Sequence, residues 1–137
     1  TFSTAAKKMQ DWLVADIGLE AKDLRVEDGS GLSRKNNVTT RGIGKLLLWA
    51  RNQATWTLYK STLAMSGKGT LTNRLTKVNF VGKTGTLDMV VALSGIVQCS
   101  NGKERIMSVI LNHFGCSSNA ARTLVDKFFE NVSTSDI

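Results

Sequence analysis

The segment Val81-Gly82-Lys83-Thr84-Gly85-Thr86-Leu87 decides how the rest of the chain can be interpreted. Apolar residues in alternating positions flank it on both sides, which predicts a β-strand rather than a loop. Glycine inside a strand often marks the close approach of another backbone. Because side chains alternate between the two faces of a strand, Thr84 and Thr86 share one face, and Lys83 and Gly85 share the other. The segment therefore places one ammonium group and two hydroxyls on a short, rigid edge.

The composition is that of one globular domain. A chain of 137 residues with 42% hydrophobic content can bury about two thirds of its surface. No stretch approaches the roughly 18–20 uninterrupted apolar residues of a membrane span. The chain begins at Thr1, with no Met and no secretory leader pattern. We therefore expect either that a leader was removed or that this is an internal piece of a longer chain.

The formal charge of +7 raises the question of an anionic partner. The basic residues are scattered, however, and the longest runs are Lys7-Lys8 and Arg34-Lys35. Aromatic residues are not interleaved with them as a base-stacking surface would require. We interpret the charge as a solvated surface and expect no nucleic-acid partner.

Hydrophobic periodicity predicts the order of the elements. Helices are expected at residues 4–17, from Thr39 or Thr40 to about Asn52, and at 118–132, with a shorter helical or irregular segment from Trp56 to Leu63. The apolar face of the first helix is Met9, Trp12, Leu13 and Ile17. Strands are expected around residues 81–87, 88–98 and 104–113, and Asn101-Gly102 is a strong hairpin signal between the last two. A very short strand is expected at residues 24–26. The prediction is an α+β fold in which three C-terminal strands form an antiparallel sheet packed with helices.

Several sites suggested by single residues are rejected. We expect no disulfide between Cys99 and Cys116, because the predicted hairpin separates them by tens of ångströms. His113 has no second histidine, cysteine or carboxylate cluster nearby, so we assign it a structural role and predict no metal site. Ser30 stands in Gly29-Ser30-Gly31, whereas a nucleophile elbow requires Gly-x-Ser-x-Gly. We interpret its surroundings as a hydrogen-bonded loop.

A phosphate-binding loop is also rejected. Gly82-Lys83-Thr84 matches the end of that motif, but the position of its first glycine holds Lys77. An apolar strand leads into the segment, and no helix opens after Thr86. We therefore predict no nucleotide cofactor.

Taken together, several ordered segments resemble the C-terminal part of the class C, low-molecular-mass penicillin-binding proteins, the D-alanyl-D-alanine carboxypeptidases and endopeptidases. The segments are Val26-Glu27-Asp28-Gly29-Ser30-Gly31-Leu32-Ser33-Arg34-Lys35-Asn36, Leu63-Ala64-Met65-Ser66-Gly67-Lys68-Gly69-Thr70-Leu71 with Arg74, Lys83-Thr84-Gly85-Thr86-Leu87, and Leu93-Ser94-Gly95. Lys-Thr-Gly is one of the three signatures of serine β-lactamases and penicillin-binding proteins. The resemblance covers essentially the whole chain.

The resemblance implies a fold and a site. Residues 1–137 would be the C-terminal portion of a single catalytic domain of the β-lactamase and penicillin-binding-protein type. Lys83 and Thr86 would be catalytic, and Lys83, Thr84, Gly85 and Thr86 would bind substrate. The partner would be a peptidoglycan peptide or a β-lactam, with no cofactor. The location would be the periplasm or cell envelope.

The resemblance also implies that something is missing. The family's nucleophile lies in a Ser-x-x-Lys motif and its second motif is Ser-x-Asn, both upstream of the matched region, and we expect neither in this chain. The chain alone would then be inactive. Without the neighbouring strands of the whole domain, the strand around Met107 to Leu111 would be an apolar edge, so we expect self-association. The alternative is a non-enzymatic module that binds peptidoglycan stems or an anionic polymer.

Overall fold

The computed structural model describes residues 1–135, apart from the side chain of Phe2. It divides into two compact units, Thr1–Gln53 and a second that begins at Ala54. Each unit is described by itself below.

The first unit contains two helices and a two-stranded antiparallel ribbon. The elements are α1 Phe2–Ala15, β1 Leu24–Arg25, β2 Asn37–Val38 and α2 Thr40–Arg51. Thr39 caps α2, because its hydroxyl accepts a hydrogen bond from the Gly42 N–H at 3.0 Å. The predictions of α2 and of a short strand near residue 24 are confirmed. The partner strand β2 was not predicted, because two residues carry no periodic signal.

The predicted apolar face of α1 is only partly buried. Trp12 packs edge-on against Trp49 with ring centroids 5.4 Å apart, yet Met9 is 46% and Trp12 42% exposed. Among the side chains of α1 that the structure describes, the buried one is that of Ala6. The apolar face predicted for this helix therefore remains partly open to solvent at Met9 and Trp12. Helical spacing shows which residues share a face but not how closely a neighbour covers it.

The second unit contains a four-stranded antiparallel sheet in the order β3-β4-β5-β6. Its elements are α3 Trp56–Ser61, β3 Ala64–Met65, β4 Asn79–Leu87, β5 Val90–Gln98, β6 Glu104–Asn112 and α4 Ser118–Thr134. The three long strands and the closing helix are as predicted. The sheet gains the short strand β3, which the sequence did not reveal.

The core of this unit lies between one face of the sheet and α4. Phe129 of α4 is fully buried, and its ring meets that of Phe80 at 5.5 Å, edge to face. Leu93 and Val125 are buried with them. Leu124 and Phe128, two further apolar residues of α4, are 62% and 51% exposed. The buried part of α4 is therefore narrower than its apolar stripe.

The β5–β6 hairpin turns where Asn-Gly predicted it. Gly102 has φ +81°, a left-handed value that suits glycine, and the Cys99 N–H donates to the Lys103 carbonyl at 2.8 Å. Cys99 is a buried free cysteine and Cys116 an exposed one. Within residues 1–135, no helix has the length and apolar character needed to cross a bilayer.

Candidate active site

The outer edge of β4 is open along the Lys-Thr-Gly segment. The short strand β3 pairs with β4 only at Val81 and Gly82. Among the described residues, no strand pairs with that edge from Lys83 to Leu87. The other edge of β4 is paired with β5 along its whole length. The open edge is therefore a template on which an extended peptide can add as a further strand.

The backbone groups that face this open edge belong to Thr84 and Thr86. The Phe80 carbonyl accepts a hydrogen bond from the Ser66 N–H at 3.1 Å, so Phe80 faces the β3 side. Backbone N–H and C=O groups alternate sides along an antiparallel strand. Thr84 and Thr86 lie four and six residues beyond Phe80. Their N–H and C=O groups therefore face the same side of β4 as those of Phe80.

The hydroxyl side chains of the same two threonines lie on the α4 face of the sheet. Thr84 and Thr86 pair in register with Leu93 and Val91, both fully buried in the core that α4 covers. The Thr84 hydroxyl donates to the Thr70 hydroxyl at 3.1 Å. Together with Thr70, Arg74 and Arg122, the two threonines line an open hollow of about 430 Å³. The structure thus brings predicted site residues Thr84 and Thr86 together.

Lys83 and Gly85 lie on the opposite face from these hydroxyls. Lys83 is exposed, and its ammonium donates to the carbonyl oxygen of Thr84 at 2.6 Å. It therefore places its positive charge at the open edge rather than in the hollow. Gly85 is half-buried, and its nearest neighbour in the place of a side chain is Ala92 Cβ, at 3.4 Å from an ideal Cβ.

Sequence reasoning did not assign site roles to the two arginines of the hollow. Arg74 donates to both carboxylate oxygens of Asp126, with Nε–Oδ2 at 2.9 Å and Nη2–Oδ1 at 2.7 Å. This ion pair ties the segment after Thr70 to α4. Arg122, one turn before Asp126, donates through Nη1 to Asn119 Oδ1 at 3.0 Å. The sequence signal that could have pointed to this region is the spacing of Arg122 and Asp126, which lie four residues apart on α4 beside its buried residues.

One Ser-x-x-Lys spacing is present, contrary to the expectation that the chain contains none. It runs from Ser100 to Lys103 and lies in the β5–β6 turn, where the Ser100 N–H donates to the Ser133 carbonyl. A turn does not stack residues i and i+3 on one helical face as the nucleophile motif requires. Ser100 is also seven residues along β5 from Leu93, the register partner of Thr84, hence about 20 Å from it.

A Ser-x-Asn spacing is likewise present, at Ser117-Ser118-Asn119. The expectation of its absence is corrected in the same way. Ser117 is the N-cap of α4, and its hydroxyl accepts a hydrogen bond from the Ala120 N–H at 3.2 Å. Asn119 is engaged by Arg122. Both motif-like spacings therefore have local structural roles in a turn and a helix cap.

A buried carboxylate organises the first unit. Asp23 is 1% exposed, and its Oδ1 accepts hydrogen bonds from the Thr39 hydroxyl at 2.8 Å and from Arg41 Nη2 at 3.0 Å. The Thr39 hydroxyl, together with the Arg41 guanidinium, lowers the pKa of this carboxyl, against the opposing effect of burial. Asp23 Oδ2 has no hydrogen-bond partner among the described residues. The group holds the ribbon against α2.

The remaining candidate residues, Ser30 and His113, lie in structural rather than catalytic surroundings. The Ser30 hydroxyl donates to Asp28 Oδ1 at 2.9 Å, as a hydrogen-bonded loop requires. His113 is exposed at the end of β6 with φ +53°. Within the described part of the chain, no three His, Cys, Asp or Glu side chains come together as metal ligands would.

The α+β fold is similar to that of solved penicillin-binding-protein structures. The structure of penicillin-binding protein 4 from Haemophilus influenzae, solved in complex with a β-lactam, superposes with a TM-score of 0.83 at 21% identity and covers 98% of this chain. A second structure of that protein gives a TM-score of 0.76 at 19% identity over 89% of the chain.

The sequence comparison is more specific than the fold. The model of the D-Ala-D-Ala carboxypeptidase 3 (S13) family matches residues 1–132, and the chain belongs to that family. A D-alanyl-D-alanine carboxypeptidase of Actinomadura sp. (strain R39) is 33% identical over an alignment of 112 residues that covers 74% of this chain. The chain spans 21% of the length of that relative and 34% and 30% of the two solved chains.

Proposed function

We propose that this chain supplies the substrate-binding wall of a serine-type D-Ala-D-Ala carboxypeptidase or endopeptidase that acts on peptidoglycan. Residues 1–137 would form the C-terminal portion of its catalytic domain, in the periplasm or cell envelope. Family membership supports the reaction class. The observation that carries the proposal is the open edge of β4, where the backbone and hydroxyl groups of Thr84 and Thr86 are available to one ligand.

In this proposal the substrate peptide lies antiparallel to Lys83–Leu87 and makes main-chain hydrogen bonds with the open edge. The hydroxyls of Thr84 and Thr86 bind its terminal carboxylate. Lys83 supplies positive charge to the edge. Gly85 leaves the strand without a side chain on the face that it shares with Lys83. A β-lactam carries a carboxylate in the corresponding place and binds in the same way.

The chemistry is serine acyl transfer. A serine hydroxyl attacks the carbonyl of the penultimate D-alanine, its proton passes to a base, and the amine of the terminal D-alanine leaves with a proton. Water then hydrolyses the acyl-enzyme ester. The Thr86 N–H, on the open edge, donates to the developing oxyanion as one of two donors. Loss of one such donor costs about 3–4 kcal/mol of transition-state stabilisation in a comparable hydrolase.

The serine and its lysine are not supplied by this chain at the hollow. The one Ser-x-x-Lys spacing lies in the β5–β6 turn, about 20 Å along the strand from Thr84. The proposed nucleophile therefore belongs to a polypeptide segment outside residues 1–137. The chain alone would position substrate without breaking its peptide bond.

A binding module without chemistry is the second candidate. The observation in its favour is that the hollow contains two arginines and three threonines but no serine nucleophile. Binding of a D-Ala-D-Ala peptide that depends weakly on salt would indicate a stem-binding module. Steeply salt-dependent binding to an anionic polymer such as DNA would indicate a site for polyanions.

Labelling with a fluorescent penicillin tests the enzymatic proposal. The chain alone is expected to form no covalent adduct that survives denaturation. A segment carrying the family's Ser-x-x-Lys and Ser-x-Asn motifs, wherever it is encoded, is expected to become labelled when mixed with the chain. Lys83→Ala should reduce that labelling, whereas Lys127→Ala, which removes an exposed charge from α4, should not. Covalent labelling of the isolated chain would overturn the proposed division of the site.

A further inference from the structure

We infer that Arg122 is a specificity-determining residue that recognises the terminal carboxylate of the substrate peptide. This inference rests on the proposed function and deepens it. It assigns to α4, rather than to the Lys-Thr-Gly strand, the charge that distinguishes a free carboxylate from its neutral derivatives.

Arg122 is positioned to reach a ligand in the hollow. It lines the same hollow as Thr84 and Thr86, whose hydroxyls lie on the α4 face of the sheet. Its side chain is half-buried and is held at one end by the hydrogen bond from Nη1 to Asn119 Oδ1 at 3.0 Å. The guanidinium is therefore oriented by the protein without being enclosed by it.

The two arginines of the hollow differ in the partners of their guanidinium groups. Arg74 is held by both oxygens of Asp126, and the two side chains are only 18% and 15% exposed, so its charge is already balanced. Arg122 donates to a neutral amide instead. Among residues 1–135, its Nε and Nη2 have no hydrogen-bond partner, which leaves two donors and an unbalanced charge for a ligand.

The threonine hydroxyls distinguish a carboxylate from an amide less well than a guanidinium does. Hydroxyls accept as well as donate hydrogen bonds, so Thr84 and Thr86 alone discriminate poorly between a carboxylate and an amide. A guanidinium donates only and matches the two oxygens of a carboxylate. Lys83 does not fill this role in the hollow, because its ammonium lies on the other face and donates to the Thr84 carbonyl.

The test is a titration of the 137-residue chain, followed by amide NMR shifts, with an acetylated Lys-D-Ala-D-Ala peptide and with the C-terminal amide of that peptide. The wild-type chain should bind the acid about fivefold more tightly than the amide, the upper range for a partly exposed charge pair. Arg122→Gln should abolish this preference, because it weakens binding of the acid more than binding of the amide. Lys127→Gln, which removes one charge from an exposed position of the same helix, should keep it.

The outcomes separate the two proposals. An acid preference that survives in Arg122→Gln overturns the role of Arg122 and leaves the proposed substrate site standing. A wild-type chain that binds both peptides equally likewise overturns the role of Arg122 and leaves the substrate site standing. A wild-type chain that binds neither peptide overturns the substrate site and this inference with it. If Arg122→Gln fails to fold, the acid preference of Arg122→Lys is measured instead. Lysine keeps the charge but lacks the paired donors of the guanidinium. An intermediate preference supports the inference, and a wild-type preference contradicts it.

Discussion

Gly82 of β4 and Gly95 of β5 lie directly opposite each other, and the Phe80 ring lies over the pair. A Cβ on Gly82 would stand 2.5 Å from Phe80 Cζ and 2.7 Å from Gly95 Cα, and still closer to the Ser94 carbonyl oxygen. The two glycines therefore let one core aromatic ring pack directly against the strands that carry the site. Phe80 in turn meets Phe129 of α4.

Gly82→Ala should destabilise the protein by about 1–3 kcal/mol, because the added methyl overpacks a site bounded by backbone. Chemical denaturation measures this loss. Gly85→Ala is the matched control on the same strand, since its Cβ would make an ordinary contact with Ala92 at 3.4 Å. Equal free energies of unfolding for the two variants would contradict the proposed close approach at Gly82.

Asp126→Asn should lower the free energy of unfolding by about 2 kcal/mol, because it breaks a two-point ion pair that is largely shielded from solvent. Asp11→Asn is the comparison, since the Lys7–Asp11 pair has side chains 75% and 60% exposed. That change should cost less than about 0.5 kcal/mol. Similar losses in the two variants would show that the Arg74–Asp126 pair contributes no more than a surface contact.

The stability of the protein should fall at acid pH partly through Asp23. Its pKa is lowered in the fold from an ordinary value of 3.8, first by the Thr39 hydroxyl and then by Arg41. The unfolded chain therefore takes up the proton at a higher pH than the folded chain. The stabilisation is complete above about pH 4 and is lost as the pH falls through the lower, folded-state pKa.

The measurement is the difference in unfolding temperature between the wild type and Asp23→Asn from pH 7 to pH 2. The wild type should be the more stable at pH 7, and the difference should shrink below about pH 4. A difference that stays constant over the whole range would mean that the charge of Asp23 is not what stabilises the ribbon and α2.

Thr86→Val should weaken binding of the acetylated Lys-D-Ala-D-Ala acid by about tenfold, because a hydrogen bond to a charged group is lost at nearly constant shape. The expected spectrum of the free chain is unchanged, since Thr86 is exposed. Thr57→Val, an exposed threonine of α3, serves as the control. Undiminished binding by Thr86→Val would remove this hydroxyl from the site.

The outer edge of β6 leads us to expect self-association. Among residues 1–135, no strand pairs with that edge. Around Ser108 the strand carries the apolar residues Ile106, Met107, Val109, Ile110 and Leu111. Light scattering at high concentration should give a mass above the 14.9 kDa of one chain. Ile110→Lys should reduce that mass, because a charge on an edge strand opposes pairing.

Leu124→Lys, on the exposed side of α4, is the control for this experiment. Dissociation by Leu124→Lys, with no effect of Ile110→Lys, would assign the contact to the helix instead. A wild-type chain that remains a monodisperse monomer would contradict association altogether.

Sequence patterns were sufficient to predict the elements whose signals are local. Alternation predicted β4 and placed the Thr84 and Thr86 side chains on one face, and Asn101-Gly102 located the hairpin. The threonines before Arg41 located the start of α2 within one residue. Each of these depends on backbone geometry over a few neighbouring residues, so the pattern is complete in the sequence.

Features that depend on residues distant in sequence emerged only from the folded structure. The ion pair that orders the hollow joins Arg74 to a residue 52 positions away, and the two-residue strand β3 exists only because β4 pairs with it. Exposure of Met9 likewise depends on how the neighbouring elements cover α1. Periodicity specifies the direction of a side chain relative to its own element, whereas burial and charge pairing depend on which element lies opposite. Arg122 became a candidate only when α4 was placed beside the open edge of β4.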